Sequence, residues 1–462
     1  MFERYKTIHF VGIGGVGMSG IAEVLGNLGY EVTGSDVKES ETTKRLQAMG
    51  IRISIGHRSE NIGNAHVVVV SSAVSFDNPE VLAAKAGNIS VIPRAEMLAE
   101  LARLKYSVLI AGAHGKTTTT SLISTVLAHG GFDPTIIIGG KLKGIGSNAR
   151  LGRGEFLIAE ADESDGSFLK LSPTIAVVTN IDREHMDFFK DMKSLKQAFL
   201  AFINKIPFYG AAFICNENEY IRELIPSIHR RFLTYGMSEQ SDMYASNVRK
   251  GFMSTTFDVT FNHTDAGTFT LPMPGRHNVL NSLACIGVAL ELKMHPAAIK
   301  EALSSFSGIQ RRFEFKGEAR GVKVYDDYGH HPTEVQATLS AAKENMKHLS
   351  NAGRLFVVFQ PHRYTRTADL MDEFAGSFLG VDSLVLLDIY PASEKPIPGV
   401  TSELLAEKMK QKGQKNISCF SDREEAMKLL IAQLKEGDVL LTLGAGDVWK
   451  IGETIVERLH AD

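Results

Sequence analysis

The 462-residue sequence predicts an α/β protein of three domains, on three observations. Apolar strand patterns alternate with helical ones through most of the chain, as parallel sheets require. Two strand–glycine–helix junctions, at Gly12 and at Gly112, mark two separate loops able to cradle phosphate. Between residues 242 and 274 the pattern changes to short alternating runs, which read as antiparallel strands added to the middle of the chain. At roughly 150 residues per domain the length suits three domains. They are read as 1–105, 106–314 and 315–462, the last opening after Phe306–Phe313, which precedes a new strand.

In the first domain, Thr7-Ile-His-Phe-Val reads as a buried strand, followed by Gly12-Ile-Gly-Gly-Val-Gly17 and a helix over Met18–Leu28. A second strand, Glu31-Val-Thr-Gly-Ser, ends at Asp36. A Gly-x-Gly-x-x-Gly after a strand, with an acid about twenty residues on, is the fingerprint of a Rossmann-like domain. Its chemistry is a phosphate-bearing nucleotide on a helix N-terminus; its bland counterpart is a tight turn that lets helix and strand pack. Further strands are His66–Ser71 and Val91-Ile-Pro, and Met97–Leu104 is a helix leading out. Ser71 falls at the carboxyl end of its strand, where ligands bind in such sheets.

The middle domain opens on Ser107-Val-Leu-Ile-Ala-Gly-Ala-His-Gly-Lys-Thr-Thr-Thr-Thr120. This is a strand, a glycine turn and a helix N-terminus, and it predicts a P-loop ATPase-like α/β domain. The loop is a short variant, Gly-x-x-Gly-Lys-Thr, because Ile110 stands where the longer loop has glycine. Gly112 and Gly115 let backbone amides approach phosphate, Lys116 supplies charge, and Thr117 a hydroxyl for a metal ion. Thr118–Gly130 reads as helix, Pro134–Gly139 as strand and Gly139–Gly146 as loop. Glu155–Glu160 is a strand ending in an acid, the place for a magnesium carboxylate. Glu160 fits by position, with Asp162 and Glu163 as competitors. The strand Thr174–Ile181 ends in Asp182-Arg-Glu-His185, where the histidine is either a metal ligand or structural. Asn278 and Asn281 share a face on the first turn of a helix over Val279–Leu292. They either cap it or meet a nucleotide.

The last domain is read as a second Rossmann-like α/β unit. Its strands Val322–Tyr325, Arg354–Phe359, Ser383–Asp388 and Asp438–Leu443 alternate with helices over Ala368–Phe378, Ser402–Lys412 and Arg423–Leu434. Polar clusters follow the strands: Asp326-Asp-Tyr-Gly-His-His-Pro332, Gln360-Pro-His-Arg-Tyr-Thr-Arg366 and Gly444-Ala-Gly-Asp447. Arginines there suit bidentate capture of a carboxylate or phosphate.

Composition narrows the class. A hydrophobic fraction of 44% and a charged fraction of 22% are those of a globular chain, and a net charge of -3 argues against a nucleic-acid partner. The three cysteines, Cys215, Cys285 and Cys419, are scattered, so neither a zinc site nor a disulfide framework is expected. No signal peptide or membrane-spanning run is read, so a cytoplasmic location without a membrane partner is expected.

Taken together, Gly112–Thr120, Glu160-Ala-Asp-Glu-Ser164, Asn180-Ile-Asp-Arg-Glu-His185, His277–Asn281, Arg311-Arg-Phe and Asp326–Pro332 resemble the Mur ligase family of peptidoglycan synthesis across essentially the whole chain. The resemblance implies an ATP- and Mg2+-dependent ligase. The runs Gly12–Gly20, Asp327–Pro332 and Gln360–Arg366 imply UDP-N-acetylmuramate and L-alanine as its small-molecule substrates, joined through an acyl phosphate. It implies catalytic roles for Lys116, Glu160, His185, Arg312 and Asp327. ATP would be held by Gly112, His114, Gly115, Lys116, Thr117, Thr118, Asn278, Asn281, Arg312 and Asp327. Thr117, Glu160 and His185 would hold the metal. Gly15, Val16, Gly17, Met18, Ser19, Asp36 and Ser71 would hold the UDP-sugar, so NAD is not expected on the fingerprint glycines. Tyr328, His330, His362, Arg363 and Arg366 would form the L-alanine site. Arg311 and Asp326 stand beside Arg312 and Asp327, leaving a slip of one open. A monomer or weak homodimer is expected.

Overall fold

The computed structural model describes residues 6–71, 73–140 and 148–461, so the loop read at 139–146 lies outside the described residues from 141 onward. The fold is α/β, with three sheets among the described residues. By packing, the chain forms two compact units. One comprises Met1–Asn247, Asp258–Phe269 and Leu280–Ser307; the other comprises Val248–Phe257, Thr270–Val279 and Gly308–Asp462. Among the described residues no helix is long and apolar enough to cross a membrane.

The first sheet has five parallel strands in the order Arg52–Ile55, Glu31–Asp36, Thr7–Val11, Val67–Val70, Ser90–Pro93. Chain direction across the sheet reverses beside Thr7–Val11. The glycine loop after that strand and Ser71 after its neighbour therefore flank the crevice where ligands bind in such sheets. Thr7–Val11 is buried throughout, as an uninterrupted apolar run in a covered parallel sheet should be.

The second sheet has ten strands. Its central strand, Tyr106–Ala111, lies between Phe156–Glu160 and Ile175–Val178, all parallel. The phosphate loop, the acid of Glu160 and the turn after Val178 thus emerge side by side at one edge. The helix Lys116–His129 begins two residues before the sequence suggests, because Gly115 serves as its N-cap in a left-handed conformation. Its four threonines are poor helix formers, but all are buried, so packing outweighs propensity.

The third sheet runs Glu314–Ala319, Val322–Asp327, Val439–Leu443, Leu355–Phe359, Ser383–Leu387, Ile417–Phe420. Its first pair is antiparallel and the rest parallel. Apolar layers on both faces, such as Phe359, Phe374 and Leu441 on one and Phe356, Leu440 and Ile455 on the other, fix the strands' depth. The helix read over Ala368–Phe378 is two short helices, Tyr364–Asp369 and Met371–Ser377, broken at Leu370.

Candidate active site

The phosphate loop is braced from outside by the residues that follow its neighbour strand Ile175–Val178. The His114 amide donates to Asn180 Oδ1 (2.8 Å), the Ala113 amide donates to Asn180 O (3.2 Å), and Thr179 Oγ1 donates to His114 O (2.6 Å). The His114 ring meets Asp182 at 2.9 Å. Gly115 has φ +82°, and a Cβ there would lie 2.7 Å from Asn281 Oδ1, so both conformation and space require glycine. Asn281 also accepts from Thr119 Oγ1 (3.2 Å), which ties the helix Arg276–Glu291 to the loop's helix. Thr117 and Thr118 lie buried in that helix's first turn.

Lys116 folds back over its loop. Its Nζ donates to Gly112 O (2.6 Å) and to both oxygens of Glu163 (2.9 and 3.0 Å). Burial strips water from the ammonium and alone would lower its pKa. The charges of Glu163, Asp162 and Glu184 outweigh this and raise it, so the lysine is charged at any physiological pH.

Carboxylate oxygens of Glu163 and Glu184 and a ring nitrogen of His185 all lie within 4.8 Å of one another, a donor set that suits a hard divalent cation with one imidazole. His185 Nε2 stands 3.9 Å from each carboxylate. Glu160 sits apart from this group: its Oε1 accepts from the Gly139 amide (2.7 Å) and it faces the adjoining cavity. Of the three acids read after this strand, the structure brings Glu163 to His185.

That cavity, of about 310 Å³, joins the two glycine loops. Gly15, Val16, Gly17, Met18 and Ser71 line one side; Lys116, Ile137, Ile138, Gly139, Glu160 and Asp162 line the other. Arg94 and Leu98 complete it. Arg94 escapes sequence reading because it belongs to no motif. Its guanidinium lies so close over Gly17 that a Cβ there would meet Arg94 NH1 at 2.7 Å, and it pairs with Asp162 at 3.6 Å. Asp36 and Ser19 do not line the cavity. Asp36 Oδ2 accepts the Gly14 amide (2.9 Å), and Ser19 is fully buried, donating to Val16 O (3.0 Å). Both shape the loop from behind.

The second unit carries its own cluster. Arg311, in a left-handed turn, pairs with buried Asp326 (3.0 Å) and donates to the carbonyls of Gly444 (2.5 Å) and Gly446 (2.9 Å). It is an internal tie that also lies over the Tyr328 ring at 5.0 Å; Arg312 lies over the same ring at 5.2 Å and stands 4.0 Å from Glu334. Asp327 is nearly buried and accepts from the amides of Phe313 and Gly329 (2.7 and 2.8 Å); burial pushes its carboxyl up to about 6. Asn278 donates to Pro274 O (2.8 Å), closing the turn before its helix. Tyr328, His330 and His362 form a chain of ring contacts (5.3 and 5.8 Å) that continues to Tyr390, stacked on His362 at 5.6 Å. Arg366 donates to His362 Nδ1 (3.2 Å), and Arg363 pairs with Glu394 (3.6 Å). Burial, then the charges of His330, Arg366 and Arg363, lower the His362 pKa to about 3, which keeps it neutral. Tyr390 also escapes sequence reading, being a single residue beyond a strand with no partner nearby in sequence.

Three family models match in chain order. They are the Mur ligase catalytic domain over residues 7–106, the Mur ligase middle domain over 110–289 and the glutamate ligase domain over 311–446. The chain belongs to the Mur ligase family. Within that family it is 56% identical, over 100% of both chains, to the UDP-N-acetylmuramate–L-alanine ligase of Geotalea uraniireducens. The crystal structure of the Thermotoga maritima UDP-N-acetylmuramate–alanine ligase superposes with a TM-score of 0.83 at 28% identity, covering 98% of this chain and 99% of that one. A murein peptide ligase of Psychrobacter arcticus shares the fold, with a TM-score of 0.71 at 23% identity over 99% of each chain.

Proposed function

We infer that this chain is an ATP-dependent ligase that joins L-alanine to the lactyl carboxylate of UDP-N-acetylmuramate. The products are UDP-N-acetylmuramoyl-L-alanine, ADP and phosphate, in the cytoplasmic assembly of peptidoglycan precursors. The observation that carries the reading is the shared cavity: the glycine loop of the first sheet and Lys116 of the phosphate loop face one space. A nucleotide sugar on the glycine loop then presents its acid to the phosphates over Lys116. In this reading segments 1–105, 106–314 and 315–462 hold the sugar nucleotide, ATP and the amino acid.

A free carboxylate is a poor acyl donor. Its oxygen attacks the γ-phosphorus, the bond to ADP breaks, and an acyl phosphate forms. The alanine amine then adds to the acyl carbon, loses its proton, and phosphate leaves. The protein's part is positioning and charge. Lys116 neutralises the γ-phosphate, leaving Glu163 as the loop's amides close on the nucleotide. Thr117, Glu163 and His185, with Glu160 at the cavity wall, are the residues that would hold Mg2+, which when bound offsets phosphate charge. Arg312 and Asp327 are assigned to ATP. Arg366, Arg363, His330, His362 and Tyr328 are assigned to L-alanine, an arginine taking its carboxylate. The enzyme is proposed to work as a monomer or weak homodimer.

The test is phosphate release from ATP with UDP-N-acetylmuramate, adding L-alanine or the peptide L-Ala-γ-D-Glu-diaminopimelate separately. Release that requires L-alanine is expected. Release only with the peptide would reassign the amine substrate, and release with neither would overturn the reading.

A further inference from the structure

Asn148 touches both walls of the cavity without lining it. Its side-chain amide donates to Val16 O (2.5 Å) and to Ser19 Oγ (3.3 Å), both in the helix that follows the glycine loop. Its side-chain oxygen accepts from Arg45 NH2 (3.2 Å), whose other guanidinium nitrogen pairs with Glu23 of that same helix. Its own backbone carbonyl accepts the Ile138 amide (2.8 Å), and the next residue, Ala149, pairs with Ile137 in the sheet. Val16 belongs to one wall, Ile137 and Ile138 to the other. One residue therefore ties the glycine loop to the strand Thr135–Ile137, which stands next but one to the strand that leads into the phosphate loop. It is 5% exposed, and the Ser19 side chain it meets is fully buried. Such a bond does not exchange easily with water, and a partner left behind would keep an unmet donor or acceptor.

The chemistry required is narrow. A donor pair must reach Val16 O and Ser19 Oγ while an acceptor meets Arg45, and only a carboxamide of this length does both. The substitution Asn148→Asp would keep the shape and the bond from Arg45, but a carboxylate could not donate to Val16 O.

We propose that Asn148 is a positioning residue: it sets the width of the cavity between the glycine loop and the phosphate loop, and so the reach of the sugar nucleotide's acid toward Lys116. It does not touch the reacting atoms. The proposal rests on the reading of this cavity as the sugar-nucleotide site. It predicts an asymmetry, because the phosphate loop is held separately by Thr179, Asn180 and Asn281. Loss of the tie loosens the glycine-loop wall and leaves the ATP loop in place.

The experiment uses the full chain with Asn148→Asp and Asn148→Ala. UDP-N-acetylmuramate binding is measured by calorimetry without ATP, and initial rates are measured with each substrate varied. The Kd and KM for the sugar nucleotide are expected to rise about tenfold or more. The KM for ATP is expected to stay within about twofold. Ser19→Ala, a milder change, is expected to give a smaller rise, and to add little on top of Asn148→Ala because both remove the same tie. Unchanged sugar-nucleotide affinity in both Asn148 variants would overturn the proposal. So would parallel losses for both substrates with a lowered Tm, which is what a purely structural residue gives. If the unaltered enzyme binds UDP-N-acetylmuramate but makes no product with L-alanine, the reading of the reaction fails while the tie is still measured by Kd. If it binds no sugar nucleotide, the reading of the cavity fails.

Discussion

The chain contains two glycine loops built to one pattern, a buried parallel strand running into a turn and a helix, and they are equipped differently. The loop at Gly12–Gly17 has no charged side chain of its own; its Gly14 amide is engaged by Asp36, and the cation that lies over it, Arg94, comes from another helix. The loop at Gly112–Gly115 carries Lys116, and its amide at His114 is engaged by a neutral side chain, Asn180. Lys116 is held by Glu163 and Arg94 by Asp162. The difference teaches how one motif could serve the two ligands proposed for it. Backbone geometry makes both loops hospitable to phosphate, but only the second carries a cation in its own sequence, Lys116, which suits the proposed attack on a triphosphate.

The comparison is broken most severely by Lys116→Ala. The variant should fold, because Glu163 can take a proton once the ammonium is gone. Turnover in the phosphate-release assay should fall by about a thousandfold. Near-normal turnover from a folded variant would mean that the second loop is no better equipped than the first.

The support of the first loop carries a built-in response to acid. Glu80, fully buried under the first sheet, accepts from Ser35 Oγ and Asn61 Nδ2 (2.5 Å each), with His9 and His57 at 3.5 and 3.4 Å. Burial pushes its pKa up, but the bond and charge of His9, with Ser35 and Asn61, outweigh it and hold the pKa at about 2, below the ordinary 4.5. A folded-state pKa below the unfolded one gives stability that is present above pH 4.5 and lost as pH falls toward 2. The difference amounts to on the order of 3 kcal/mol. Ser35 is the residue before Asp36, so acid should weaken the strand end that holds the first loop. Thermal melts from pH 7 down to pH 3 should show a steep decline that Glu80→Gln flattens, from a lower starting Tm. An identical slope in the variant would remove Glu80 from the account.

Much of this architecture was legible in the sequence, and the unreadable parts share a physical reason. Gly112, Gly115 and Lys116 declare themselves because the loop's chemistry is local, within five residues. Arg94 and Tyr390 do not, because each is a single side chain delivered by tertiary packing. The same holds for the choice between Arg311 and Arg312. The two are indistinguishable until the carbonyls at Gly444 and Gly446, far along the chain, are seen to hold the first. Among Glu160, Asp162 and Glu163 the sequence offers three acids in four positions, and only the path of the backbone after Phe156–Glu160 brings Glu163 toward His185. The strand Arg52–Ile55 does alternate polar and apolar residues, but at four residues, mostly exposed on a sheet edge, the pattern is too short to stand out.

Arg94→Ala sharpens the comparison at the next level. If the first loop borrows its positive charge, the KM for UDP-N-acetylmuramate should rise roughly thirtyfold, the scale of a charged hydrogen bond. The KM for ATP should move little. Arg94→Lys should restore part of the loss. An equal rise in both Michaelis constants would place Arg94 with the phosphate loop instead.

The smallest effect concerns Asp36, where the two loops differ in what engages their amides. The fingerprint implies an acid that touches the ligand; the structure shows its carboxylate accepting the Gly14 amide. These roles separate by substitution. Asp36→Asn keeps an acceptor for Gly14 and loses the charge, whereas Asp36→Ala loses both. If Asp36 acts by shaping the loop, Asp36→Ala should raise the KM for the sugar nucleotide by about fivefold, the scale of one neutral hydrogen bond, and Asp36→Asn should stay close to the unaltered enzyme. If the charge itself meets the ligand, the two variants should be equally impaired. The second outcome would bring the Gly12 loop closer in design to the Gly112 loop, each with a charged side chain of its own at the ligand.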